Sequence, residues 1–395
     1  MPLRLPRLAA PLVGICTRHA PASRSASVLC TLACVAFALS TCGAGSSVAI
    51  SPPPGGAVPL DDARDLAALD ACSPSAPYVA QWTAEQPLAS HCGQLPGRHA
   101  DVARTVASAR PLDAATAAHV RAIFDRGARL HRRADVFALV GDSTTLEPQF
   151  MTPFGAGMPP FTIDPAAHDA LAIAPGPDGA PRDVIAWFRG VRAYGALDSF
   201  RAPRAAKTGA RATWPLEPDA ATGVTPIDAV IASTSPAYAV VLFGTNDAEL
   251  FVEPLDRLAT RFAASLDALA AALESRGVVP ILTTVPRHMR AWGMPDCGDR
   301  TARTNARIMI QTTVVSAAVS DVAGARHLPL VDLRDALDPL IHRGIASDGV
   351  HPSFYPRRLG GGGMLDEAGL QCGYNARSLA TLRMLALVRR AIEKP

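Results

Sequence analysis

The sequence predicts an α/β domain built on a parallel β-sheet with helices covering both faces. Val136–Val140 and Ala237–Phe243 are continuous apolar runs. They lack the alternation of a half-exposed strand, so each reads as a strand buried on both sides. Segments of helical period follow such runs, in the strand–helix–strand rhythm of a parallel sheet. Polar stretches end both runs, Gly141-Asp142-Ser143 and Gly244-Thr245-Asn246-Asp247. In open parallel sheets, functional residues gather beyond the C-terminal strand ends.

The first 110 residues lie outside this domain. A basic lead (Arg4, Arg7, Arg18, His19, Arg24) precedes the apolar stretch Val28 to Leu39. That length suits a signal peptide and is short for a membrane span. Residues 1–42 therefore read as an export signal. Leu39-Ser40-Thr41-Cys42 resembles a bacterial lipoprotein cleavage box with Cys42 as the lipidation candidate, although Thr41 stands where Gly or Ala is usual. Export implies a periplasmic, surface or secreted protein, with membrane contact only through such a lipid anchor.

Residues 43–110 read as a Ser/Pro/Gly-rich linker followed by an N-terminal extension, with a short helix over Asp61–Leu69. Of the eight cysteines, Cys72, Cys92, Cys297 and Cys372 lie beyond the signal and Cys42. An even remainder in an oxidising compartment suggests two disulfides. Three pairings are open, and Cys72–Cys92 with Cys297–Cys372 ties neighbouring segments. The spacings are not those of a zinc site.

Residues 111–395 form the main domain. Asp113 caps a helix to about Leu130, with Val120, Ile123 and Phe124 on one face. The strand Asp135–Val140 follows. Residues 144–225 are rich in Pro, Gly and Asp and read as a loop-rich insertion near Ser143, shaping a substrate pocket, with a strand at Ile185–Phe188. Pro226–Ser233 suits a helix and Ala237–Phe243 the next strand. Pro254–Arg276 is amphipathic, with Leu255, Leu258, Phe262, Leu266, Leu269 and Leu273 spaced by three and four, and Gly277 ends it. Strands at Val278–Val285 and Leu328–Leu333 flank a buried helix at Asn305–Ala323. Leu379–Ile392 closes the chain as a helix.

Three stretches carry chemistry. Ser143, just past a strand end, can expose its hydroxyl where a following helix aims backbone N–H groups. The plain alternative is a helix cap. Asn246 can donate a side-chain amide to an oxyanion, or belong to a turn with Asp247 as a local partner or cap. Asp348-Gly349-Val350-His351-Pro352 puts an acid and a histidine on one side of a tight turn, where His351 serves as base and Asp348 orients it. The net charge of +3, with no long Lys/Arg block, gives no reason to expect nucleic acid.

Together these stretches resemble blocks I, III and V of the SGNH/GDSL hydrolase superfamily, with Thr144 a mild departure after the serine. The resemblance implies a three-layer α/β/α flavodoxin-like sandwich. Ser143 is then the nucleophile, His351 the base, Asp348 its orienting acid, and Asn246 an oxyanion donor beside the Ser143 N–H. No metal or organic cofactor is implied. Block II should supply a glycine N–H. Gly209 suits best, Gly195 is next, and Gly190 is a further candidate.

Lesser features take bland readings. Arg287-His288 reads as a solvated loop, Asn375 as a cap of the last helix, and Gly360–Gly363 as a mobile loop near His351. The expected function is an exported serine esterase acting on a small-molecule, glycan or lipid ester. Transfer of the acyl group to a sugar hydroxyl, or a non-catalytic surface binding role, would use the same residues differently. The sequence fixes no oligomeric state.

Overall fold

A computed structural model describes residues 111–175, 182–249, 253–289, 300–346, 348–357 and 360–393. The expected signal peptide, Cys42, linker, N-terminal extension and the cysteines at 72, 92 and 297 lie outside these residues. Cys372 is buried and disulfide-bonded.

Helix α1 (Ala114–Arg129) begins at Asp113, whose carboxylate accepts from the Thr116 N–H at 2.7 Å. This is the expected cap. Strand β1 (Arg133–Gly141) follows and ends at α2 (Ser143–Leu146), a single turn. Helix α3 spans Val184–Arg189 and β2 only Ala205–Ala206. Then come α4 (Pro226–Thr234), β3 (Pro236–Leu242), α5 (Thr245–Glu249), α6 (Leu255–Ser275) and β4 (Val279–Thr283). Helix α7 (Arg300–Ala325), β5 (Leu330–Val331), α8 (Leu333–Leu337) and α9 (Gly373–Glu393) complete the domain.

The five strands pair in parallel in the order β2-β1-β3-β4-β5. This is the flavodoxin-like order, in which the chain reverses direction across the sheet between β1 and β3. Every residue of β3 and β4 is buried, as a sheet covered on both faces requires. Helices α6 and α7 pack on one another, and α1 packs on α9. The expected sandwich is present.

Two segments depart from expectation. Ile185–Phe188 lies in a helix, not a strand, because Asp183 caps it by accepting from the Ala186 N–H at 2.8 Å. The strand expected at Leu328–Leu333 shrinks to Leu330–Val331, since Asp332 caps α8 immediately afterwards. The 144–225 stretch also contributes to the core. Phe188 and Phe200 meet Phe137 of β1 edge-on at 5.0 and 5.2 Å between ring centroids. Trp187 donates its indole N–H to the Ala134 carbonyl. Much of this segment therefore anchors to β1.

Candidate active site

The register of three adjacent strands sets the site. Gly141 of β1 lies beside Ala206 of β2 and Leu242 of β3. The chain leaves these three ends toward Ser143, Gly209 and Asn246 respectively, at the point where strand order reverses.

Ser143 opens α2. Asp142 caps this turn with one carboxylate oxygen, accepting from the Thr144 N–H at 2.9 Å and the Thr144 hydroxyl at 2.7 Å. The plain cap reading thus falls to Asp142 and leaves the Ser143 hydroxyl available. Burial pushes the Asp142 carboxyl above the usual range, against those two bonds and the nearby Arg377 charge.

The hydroxyl faces the base. Ser143 Oγ lies 2.9 Å from His351 Nε2, and His351 Nδ1 lies 2.6 Å from Asp348 Oδ2. A carboxylate only accepts, so Nδ1 carries the proton and Nε2 of the neutral ring accepts from Ser143. The other Asp348 oxygen accepts from the Val350 and His351 N–H groups at 2.9 and 3.0 Å. Burial would raise the Asp348 pKa, but these bonds outweigh it and lower it to about 2. The Asp348 hydrogen bond is the main cause that raises the His351 pKa, and burial works against it. The arrangement is a hydroxyl, an oriented base and an ionised acid in line, which suits proton removal from the hydroxyl.

Asn246 lies in α5, with its side-chain amide donating to the Ala210 carbonyl at 3.0 Å. That amide has a second hydrogen to offer elsewhere. Gly209 sits one residue before Ala210, in an exposed turn with φ +75°. Gly190 instead ends α3, and Gly195 lies in the tight turn bridged by Tyr194 and Leu197. Of the three glycines, only Gly209 lies in the loop that directly follows a strand of the central sheet.

Several neighbours differ from expectation. Arg287 and His288 are buried, not solvated. Arg287 pairs with Asp338 at 2.8 Å and His288 lies 3.2 Å from Glu249. Asn375 lies inside α9, and its amide donates to the Gly361 and Met364 carbonyls at 2.9 and 2.8 Å. Gly361–Gly363 is a buried turn in which the Gly362 N–H donates to Gln149 at 2.7 Å. It is packed, because Gln149 and Asn375 supply partners that no local pattern announces. Arg204 and Arg377, which no motif marks out, donate to backbone carbonyls of the 144–150 segment. An arginine within a mostly apolar helical stretch is the only signal that Arg377 gives.

Residues 138–354 match the family described as GDSL-like lipase/acylhydrolase. The chain belongs to this family. Membership makes it a carboxylic ester hydrolase of the serine type. Similar chains are also found among solved structures. A lipase/acylhydrolase from Enterococcus faecalis is 18% identical, covering 63% of this chain and 94% of its own, with a TM-score of 0.33. A GDSL-like lipase from Bacteroides thetaiotaomicron is 16% identical, covering 71% and 98%, with a TM-score of 0.37. An acetyl-xylooligosaccharide esterase from Geobacillus is 15% identical, covering 63% and 93%, with a TM-score of 0.32. No curated protein matches the chain.

Proposed function

We propose that the protein is an exported serine esterase that works through an acyl-enzyme. The single observation behind the mechanism is the line Ser143–His351–Asp348, with contacts of 2.9 and 2.6 Å. Ser143 Oγ attacks the ester carbonyl as His351 Nε2 takes its proton. The tetrahedral oxyanion accepts from the Ser143 and Gly209 N–H groups and the Asn246 amide. His351 then gives its proton to the departing alcohol as the ester C–O bond breaks. Water, deprotonated by His351, releases the acid and restores Ser143. Asp348 stays ionised throughout, consistent with its lowered pKa. Export rests on the basic lead and the apolar stretch before Cys42.

The test is turnover of a short-chain aryl ester by the purified protein and by Ser143→Ala. Wild type is expected to turn over and to label with a fluorophosphonate, and the variant to do neither. Equal rates from the two proteins would overturn the mechanism. Fractionation of cells expressing the full chain tests export, with cytosolic retention as the contrary result.

A further inference from the structure

The loop that follows β2 has little support of its own. Strand β2 is two residues long, and Lys207, Thr208 and Gly209 are exposed. A Cβ at Gly209 would meet nothing within 4 Å. The loop is nevertheless pinned on either side of its tip. The Lys207 N–H donates to the Gly141 carbonyl and the Ala210 N–H to the Lys207 carbonyl, both at 3.1 Å. Beyond the tip, the anchors come from two consecutive side chains of α5. Asn246 donates to the Ala210 carbonyl at 3.0 Å, and Asp247 Oδ2 accepts from the Ala212 N–H at 3.1 Å.

Asp247 is an unusual group to spend on a loop. It is fully buried, and Arg261 approaches no closer than 3.8 Å. A carboxylate in such a place is costly unless it is hydrogen-bonded. Its Oδ2 is bonded to the loop, and Oδ1 has no hydrogen-bond partner among the described residues.

We propose that Asp247 is a positioning residue for the oxyanion hole, holding the loop so that the Gly209 N–H keeps its place beside Asn246. This rests on the reading above that Gly209 donates to the oxyanion. Asn246 then has two tasks, one amide hydrogen anchoring the loop and the other serving the reaction. Asp247 adds a second anchor, so the loop does not shift as the other amide hydrogen engages and releases the oxyanion. Burial, partly offset by the Ala212 bond, pushes the Asp247 carboxyl up to about 6, so near neutral pH it is largely the ionised acceptor that the clamp uses.

The experiment compares Asp247→Ala and Asp247→Asn with wild type, using an aryl ester and an arylboronic acid that forms a tetrahedral adduct with serine. Asp247→Ala is expected to lose roughly 10- to 100-fold in kcat, less than the loss of a direct oxyanion donor. Its KM should stay within about threefold, since the substrate does not touch Asp247. Boronate affinity should fall in step with kcat. Asp247→Asn keeps an oxygen for the Ala212 N–H and is expected to recover most of the rate. Unchanged kcat in Asp247→Ala would overturn the proposal, as would equal losses in both variants. If Asp247→Ala does not fold, Asp247→Ser carries the same comparison. Failure of both to fold would overturn the proposal in favour of a purely structural role. These outcomes are separate from the mechanism itself. An active Ser143→Ala removes the site, whereas an inactive Ser143→Ala with a fully active Asp247→Ala removes only the clamp.

Discussion

The guanidinium of Arg377 donates to the carbonyl of Thr144 at 2.8 Å, across 233 residues of chain. Thr144 follows Ser143, so the turn that presents the serine is held from behind by a buried cation. Arg377 also donates to the Thr145 hydroxyl at 3.1 Å and stacks on Phe150 at 3.7 Å. Arg204 joins it by donating to the Phe150 carbonyl at 2.9 Å. A helix of one turn is too short to be stable alone. Here Asp142 sits at its positive end and two arginines gather at its negative end, the arrangement the helix dipole favours.

Arg377→Met should therefore be destabilised and slow. Loss of the bonds to a buried carbonyl costs about 1–3 kcal/mol, read as a lower urea midpoint. Chemistry should suffer beyond that, because Ser143 loses its fixed attitude to His351. Arg377→Lys restores the charge without the fork and should fall between wild type and Met.

The pH dependence follows from the histidine. The base acts only when neutral, and the Asp348 bond raises its pKa. Activity should therefore rise with pH through a midpoint above the ordinary histidine value of about 6.5. Asp348→Asn removes the largest cause of that rise, so the midpoint should move down while the plateau drops. Stability runs the other way for the two partners. The raised histidine stabilises the fold below the unfolded histidine pKa, and this is lost as pH rises through the folded value. The lowered Asp348 stabilises above the unfolded aspartate pKa, and this is lost as pH falls through about 2. The side chains are 38% and 47% exposed, so both contributions are small.

Asn375→Ala should destabilise the segment after His351. It strands the Gly361 and Met364 carbonyls and removes the acceptor of the Tyr355 N–H. The cost is about 1–3 kcal/mol for each buried group left unpaired. Limited proteolysis after His351 should then be faster in the variant than in wild type.

Two glycines should respond differently to alanine. At Gly141 a Cβ would lie 2.7 Å from the Leu242 carbonyl, so Gly141→Ala must push β1 from β3 and costs roughly 1–3 kcal/mol or more. At Gly209 space is open and only the positive φ resists. Gly209→Ala should then lose about 1–2 kcal/mol at most, with its effect read mainly in kcat.

What the sequence showed clearly was set by periodicity and by local chemistry. β1 and β3 were legible because both faces are buried and apolar residues run unbroken. Helix α6 was legible from its spacing, and Asp348 with His351 because their bond closes a turn of four residues. What was hidden is fixed by distant partners. β2 is only Ala205–Ala206, with no pattern to read. Ile185–Phe188 is short, β-branched and aromatic, yet the Asp183 cap turns it into a helix. Asn375 looked like a cap because its partners, Gly361 and Met364, come from another loop. Arg377 could not be assigned without knowing that Thr144 lies beneath it.

The distance between Ser143 and His351 has a kinetic consequence. They are 208 residues apart, and the Ser353 beside the histidine is tied to the start of α9 by the Tyr374 and Gly373 N–H groups. Contacts of such span form late, after the loops between them have closed. The Asp348–His351 turn can close early in an unfolded chain, but it meets its serine only when the sheet and last helix have docked. Reactivity of Ser143 toward a fluorophosphonate is therefore a clock for refolding. It should return with the slowest cooperative phase and not with the recovery of helix signal.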